Sequence, residues 1–433
     1  MKKSKFDSKD LYELTTKDEK LFGNIMQNSD DKTIFLKIKS GYNVAIQNNN
    51  IKTIKLIGKR GKIIGKRGKI SLNSNLPTVV ILHTGGTIAS KVDYKTGAVE
   101  ASFSPEDLIA KFPEINNIAN IKSRLIANIM SENIRFSHYN LIAREIAKEA
   151  KDNVKGIIIT HGTDTLGYTS AALSFILENL PIPIILVGAQ RSSDRGSSDA
   201  FLNLICALRF ITKTDFAEVA ICMHENENDD SCLILPGLKT RKMHSSRRDA
   251  FKAVNATPFA RVTKIGEITF LNKNYKKRNN NKLNLRLIKE NLKIGIIKSH
   301  PNMFPEQFRP YYKFNGLILE GTGLGHFPVE KDDLSKENEK ILNEIKKLAR
   351  KIPVVMTTQT IFGRVNMNIY SPQRKLQEAG VIGNFNDMLT ETAFIKLAWL
   401  LSNHPKDVKN LISKNLKGEI NDRILASQYD IYS

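Results

Sequence analysis

A chain of 433 residues with 41% hydrophobic content is long enough for two or three domains of about 150 residues each and for a sizeable buried core, so it reads as globular. It contains no run of about 18 apolar residues, and a helix crossing a membrane is therefore not expected. The formal net charge of +22 either attracts polyanions such as nucleic acid or reflects lysines spread over every solvated face, and charge alone assigns no specificity.

The opening MKKSKFDSKDLYEL is basic, with no apolar segment or cleavage-like site behind it, so the expectation is a cytoplasmic protein. Cys206, Cys222 and Cys232 are odd in number, lack a C-x-x-C spacing and sit in or beside apolar runs. They are expected to be buried, reduced thiols.

Residues 1–75 read as a small all-β, barrel-like N-terminal unit plus a basic linker. Its β-like runs are Leu21 to Gln27, Thr33 to Lys39, Tyr42 to Gln47 and Ile51 to Ile57, split by turn signals at Asn24, Asp30-Asp31 and Gly41. A perfect tandem IGKRGKI follows from Ile57 to Ile70, either a basic hairpin that touches phosphate or a duplicated linker.

From Leu76 strands alternate with helical stretches, the pattern of a parallel α/β sheet, assigned to 76–270. Thr78 to His83 empties into Thr84-Gly85-Gly86-Thr87, a tight turn at a strand's carboxyl end, where open α/β sheets bind ligands. Thr87 is thereby a candidate for chemistry. Ser90 to Val99 has no periodicity and suits a lid that would carry Tyr94, while Ser104-Pro105-Glu106-Asp107 has the signals of a helix start. Lys155 to Thr160 is an apolar strand meeting His161-Gly162-Thr163-Asp164-Thr165 ahead of a helical run to Leu180. Here Thr163, Asp164 or Thr165 either caps the helix or adds a hydroxyl and a carboxylate to the same crevice.

Ile182 to Val187 and Glu218 to His224 are two more buried strands, the first ending in Gly188-Ala189-Gln190-Arg191. No metal site is expected: the spacing of His224, Glu225, Glu227 and Asp230 fits no standard ligand set and reads as an acidic loop. Gly237 to Phe251 carries Lys239, Arg241, Lys242, Arg247 and Arg248. One lysine turned inward would serve as a base, and spacing does not say which. Leu271 to Leu292 reads as a connection to a second α/β unit at 290–433, with strands at Lys293 to Lys298, Gly316 to Leu319 and Pro353 to Met356 and a helix from Glu337 to Lys351. The loop Glu320 to His326 is Gly-rich but lacks the third glycine and following helix of a dinucleotide site, and no P-loop pattern occurs.

TGGTIAS at Thr84 to Ser90 and HGTDT at His161 to Thr165, in that order at two strand ends, resemble the two signatures of the asparaginase/glutaminase superfamily. SEN at Ser131 to Asn133, GTGLGHFP, GRVNMNIYS, the tail MLTETAFIKLAWLL and the small β unit resemble one branch of it, the asparaginase-like D subunit of archaeal glutamyl-tRNA(Gln) amidotransferases. The resemblance implies two α/β domains of asparaginase type behind the β domain, and amide hydrolysis of glutamine. It implies catalytic roles for Thr87, Thr163, Asp164 and Lys242, a lid tyrosine at Tyr94, and substrate contacts from Ser131, Glu132, Thr163 and Asp164. It implies a homodimer joined to an ATP- and Mg-using transamidase partner in a heterotetramer, Glu-tRNA(Gln) held mainly by that partner, and no cofactor on this chain. Which threonine attacks stays open. A free-standing L-asparaginase and a non-catalytic RNA-binding adaptor are the competing expectations.

Overall fold

The computed structural model describes residues 6, 10–17, 19–26, 29, 32–38, 43–58, 73–86, 90–92, 99–101, 113–151, 153–191 and 197–429. Thr87, Tyr94, the helix start at 104–107 and residues 59–70 of the IGKRGKI tandem lie outside them.

The first unit is an antiparallel sheet of β1 (Leu11–Thr16), β2 (Lys20–Ile25), β3 (Thr33–Ile38), β4 (Asn43–Gln47) and β5 (Ile51–Gly58), in the spatial order β4-β3-β2-β1-β5. Four of the five match the sequence expectation. The exception is β1, whose LYELTT buries Tyr12, Leu14 and Thr16 and turns Leu11, Glu13 and Thr15 outward. Its period of two was present in the sequence but diluted by Glu13 and the threonines. β1 nonetheless lies between β2 and β5, with Glu13 opposite both Phe22 and Lys55. Leu14, Ile25, Leu36 and Ile46 form this sheet's core.

The chain then builds β6 (Thr78–His83), β7 (Ser90–Val92), β8 (Val99–Ala101), β9 (Asn120–Leu125), α1 (Phe136–Glu149), β10 (Val154–Thr160), α2 (Leu166–Ile176), β11 (Leu177–Glu178), β12 (Ile184–Val187), α3 (Ala200–Lys213), β13 (Val219–His224), β14 (Ser231–Pro236), β15 (Thr240–Lys242), β16 (Phe251–Ala253), β17 (Ala260–Thr263) and β18 (Ile268–Phe270). Eight strands make one sheet, ordered β18-β17-β14-β13-β12-β10-β6-β9. From β9 to β13 the pairing is parallel, as expected; β14, β17 and β18 extend the sheet antiparallel. Continuous apolar runs such as TVVILH arise because both faces are covered. Val80 and Leu82 pack with α1 and α2, whereas Val79 and Ile81 pack with α3. β7 and β8 pair antiparallel, Ser90 opposite Ala101 and Val92 opposite Val99.

The Asn/Lys-rich connection is fastened to the first α/β unit. Arg278 donates to the carbonyls of Thr214 at 3.1 Å and Ile211 at 2.8 Å and also to that of Lys155, and Tyr275 stacks on Phe270 with ring centroids 5.2 Å apart. Within it β19 (Asn284–Leu285) pairs with β11. Next come β20 (Ile294–Lys298), β21 (Gly316–Gly321), α4 (Glu337–Ala349), β22 (Val354–Thr358), α5 (Ser371–Glu378) and α6 (Thr390–Asn403), with β20, β21 and β22 in a parallel sheet. α6 lies against α2, Trp399 meeting Phe175 at 5.6 Å, so the two α/β units share one apolar interior.

Candidate active site

The parallel strands end at one edge, and two of their exits touch. Beyond β6, Thr84 sends both its amide (3.1 Å) and its hydroxyl (2.9 Å) to the Thr160 carbonyl at the end of β10. Gly85 and Gly86 follow with φ of 103° and 79°, the left-handed region that favours glycine. Gly86 is also required by proximity, since a Cβ there would lie 2.4 Å from the Gly162 nitrogen. Gly162 in turn backs onto Ser131, where a Cβ would lie 2.7 Å from the serine Oγ. The two glycine motifs thus meet main chain to main chain, and the Ser131 side chain packs against the second of them.

The residues on either side of Gly162 divide the work. Thr165 occupies the N-cap position of α2 without capping it; its hydroxyl donates to the Ser131 carbonyl at 2.7 Å instead. His161 is fully buried. Its Nδ1 lies 2.6 Å from the Gly162 carbonyl, which only accepts, so Nδ1 carries the proton and Nε2 accepts from the Thr169 hydroxyl at 2.8 Å. Burial pushes the imidazole down to about 4, leaving it neutral at physiological pH.

The β15–β16 hairpin, in which Lys242 pairs with Phe251, carries a cation to this edge. Lys242 Nζ donates to Thr163 Oγ1 at 2.9 Å and to Asp164 Oδ1 at 2.7 Å. Thr163 is buried, the Lys242 side chain retains 15% of its exposure, and Asp164 retains 64%, so the carboxylate stands at the mouth and the hydroxyl at the floor. Residues far apart in sequence therefore converge as expected for Thr163, Asp164 and Lys242. Ser131 is buried beside Gly162, and Glu132, next to it in the turn Ser131–Asn133, is exposed. Thr87 and Tyr94 fall outside the described residues.

Residues 78–276 match the family described as Asparaginase, N-terminal, 293–411 the Glutaminase/Asparaginase C-terminal domain, and 6–57 the GatD N-terminal domain. The chain is 44% identical to the D subunit of glutamyl-tRNA(Gln) amidotransferase from Methanococcus maripaludis, over 96% of this chain and 99% of that one. It belongs to the family of glutamyl-tRNA(Gln) amidotransferase D subunits. The D subunit of Pyrococcus abyssi is 43% identical, over 90% of this chain and 87% of its own. Among solved structures, the thermostable L-asparaginase from Thermococcus kodakarensis aligns with a TM-score of 0.69 and 32% identity over 80% of this chain and all of its own, and L-asparaginase I from Vibrio cholerae with 0.67 and 28%. The D-subunit family thus sets an asparaginase-type pair of α/β domains behind its own β-rich unit.

Of the five cations between Gly237 and Phe251, three turn inward: Lys239, Lys242 and Arg248. Lys242 reaches the strand-end pocket, while Lys239, 2% exposed, pairs with Asp387 of the second α/β unit at 2.8 Å. Arg241, Arg247 and Arg248 pair with Glu391, Asp249 and Asp229. The acidic loop is likewise engaged: Glu225 with Arg261 and Ser231, His224 with Asn203 and Asp229. The three cysteines are buried around Asn203; Cys222 Sγ meets its carbonyl and Cys232 Sγ its side-chain oxygen, both at 3.3 Å.

Sequence reasoning gave Gln190 no role. Thr163 Oγ1 donates to Gln190 Oε1 at a long 3.5 Å, so the carboxamide after β12 faces the same hydroxyl as Lys242. The one signal in the sequence was its place: a third strand of the parallel set, ending in a glycine-led turn.

Proposed function

We propose that this chain is the glutaminase component of a tRNA-dependent amidotransferase. It hydrolyses glutamine to glutamate and ammonia; a partner subunit uses ATP and Mg to activate Glu-tRNA(Gln), and the ammonia converts it to Gln-tRNA(Gln). The observation that carries this reading is Lys242 Nζ standing 2.9 Å from Thr163 Oγ1 and 2.7 Å from Asp164 Oδ1 at the carboxyl edge of a parallel sheet. Kinship with amidotransferase subunits along 96% of the chain supports it.

In this mechanism a threonine hydroxyl, from Thr163 or Thr87, adds to the substrate's carboxamide carbon and gives up its proton. The tetrahedral intermediate collapses, the C–N bond breaks, and nitrogen leaves as ammonia after taking a proton. Water then hydrolyses the threonyl ester to glutamate and free hydroxyl. Lys242, already bonded to Thr163 Oγ1, stabilises negative charge growing there and passes protons through the same contact. Asp164, at the mouth, receives the substrate's ammonium. Ser131 and Glu132 bind the rest of the amino-acid backbone, Tyr94 closes over the site, and the Gly162 and Thr163 amides face the oxyanion. The active form is a cytoplasmic homodimer within a heterotetramer, with tRNA held mainly by the partner and no cofactor on this chain.

The test is ammonia release from glutamine and from asparagine, by the chain alone and with its transamidase partner and Glu-tRNA(Gln). Weak release from glutamine alone, stimulated by partner and charged tRNA and lowered at least about 100-fold in Lys242→Met or Thr163→Ala, is expected. Brisk asparagine hydrolysis without a partner would favour the second reading, a free-standing L-asparaginase, for which the match to L-asparaginase structures speaks.

A further inference from the structure

Gln190 is held as a pocket residue is held. Its backbone nitrogen donates to both oxygens of Asp199 at 3.0 Å, and the Arg191 backbone nitrogen donates to Oδ1 at 3.0 Å. Asp199 is fully buried and is steadied by Asn203 Nδ2 at 3.2 Å, which also donates to the Gly188 carbonyl at 3.1 Å. The turn therefore has its backbone fixed on both sides of Gln190. It is pressed onto Thr163 as well: a Cβ at Gly188 would lie 2.9 Å from Thr163 Cγ2. The side chain is oriented by the Thr163 hydroxyl on Oε1, yet its Nε2 is buried with no hydrogen-bond partner among the described residues. A buried donor left unpaired is penalised, and an arriving acceptor relieves the penalty.

We propose that Gln190 is a substrate-contacting residue whose Nε2–H donates to the carbonyl oxygen of the scissile carboxamide. The inference rests on the amide-hydrolase reading above. The oxygen and nitrogen of one carboxamide lie closer together than a hydrogen-bond length, so a donor anchored through Oε1 to Thr163 stays within reach of a scissile carbonyl seated beside that hydroxyl. As the carbonyl becomes an oxyanion the bond strengthens, which places the effect on turnover more than on binding.

Two variants in the complex with the transamidase partner test it. Gln190→Met removes the donor at similar length; kcat for ammonia release from glutamine falls about 100-fold with KM changed less than about threefold. Gln190→Glu keeps an oxygen for Thr163 and loses the donor at neutral pH. Protonation restores an O–H, so its activity relative to wild type rises as pH falls from 8 to 5. A purely structural role would show instead as a lowered unfolding midpoint without that pH-dependent recovery. If wild type is active and Thr163→Ala is not, but both Gln190 variants stay within twofold of wild type at every pH, the proposal is overturned and the functional reading stands. If wild type releases no ammonia from either amide under any condition, the functional reading itself falls.

Discussion

His161 shows how one side chain beside the pocket sets a stability limit for the whole strand edge. Its ring is neutral because a fully buried imidazolium would lose its hydration, and its bonds to the Gly162 carbonyl and the Thr169 hydroxyl are built for the neutral form. In the unfolded chain a histidine titrates near 6.5, so between 6.5 and about 4 the unfolded state binds a proton that the folded state refuses. Folding is therefore weakened as pH falls through that window, by about 3 kcal/mol at its lower end, and is untouched above it. Urea midpoints measured from pH 7.5 to 4.5 should decline below 6.5, and less steeply in a folded His161→Asn variant; equal slopes would remove His161 from the account. A hydroxyl and a carboxylate at a strand end marked Thr163 and Asp164 from the residues themselves, whereas Lys242 was singled out from its neighbouring cations only by the resemblance to the asparaginases. Gln190 carries no charge and belongs to no acid–base pattern, and its relevance comes from an orphaned Nε2 that only coordinates reveal.

At the scale of elements, the junctions decide what the strands are for. Apolar runs with glycine exits were legible for β6, β10 and β12, because doubly covered strands need no alternation and glycine marks tight exits. β1 was missed since its buried face is only every second residue and one of the three is a threonine. That α2 begins without a side-chain cap was equally hidden, because Thr165 spends its hydroxyl on a carbonyl 34 positions away. Gly86→Ala puts a methyl group against the Gly162 backbone and holds alanine at a φ of 79°. The expected cost is about 2 kcal/mol or more, seen as a lowered unfolding midpoint together with lost ammonia release. An unchanged midpoint would mean that the two loops separate freely.

At the scale of the molecule, the hairpin bearing Lys242 is held from behind by the second α/β unit. Lys239 and Asp387 form a buried ion pair at 2.8 Å; Asp387 also accepts from the Asn421 nitrogen at 3.0 Å, and Asn255 ties the Asp387 and Gly363 carbonyls at 3.1 and 3.0 Å. None of this was readable along the chain, where 148 positions separate the two charges. Burial is the main cause that lowers the Lys239 pKa, and the Asp387 carboxylate opposes that shift. Lys239→Met leaves the carboxylate buried without its cation, at an expected cost of about 3 to 5 kcal/mol. Amide exchange should then quicken across 238–255; protection equal to wild type would show that the pair is dispensable.

The contact between Gly86 and Gly162 has a consequence for how the site can change over time. Because main chain abuts main chain there, no rotamer lies between the two loops, and their separation is set by atomic radii alone. Drift in the surrounding core, one methylene larger here and one smaller there, must be absorbed on the outer flanks of the strands. The gap between the loops thus works as a fixed gauge, against which the size of an acceptable substrate is adjusted only by what stands at the rim.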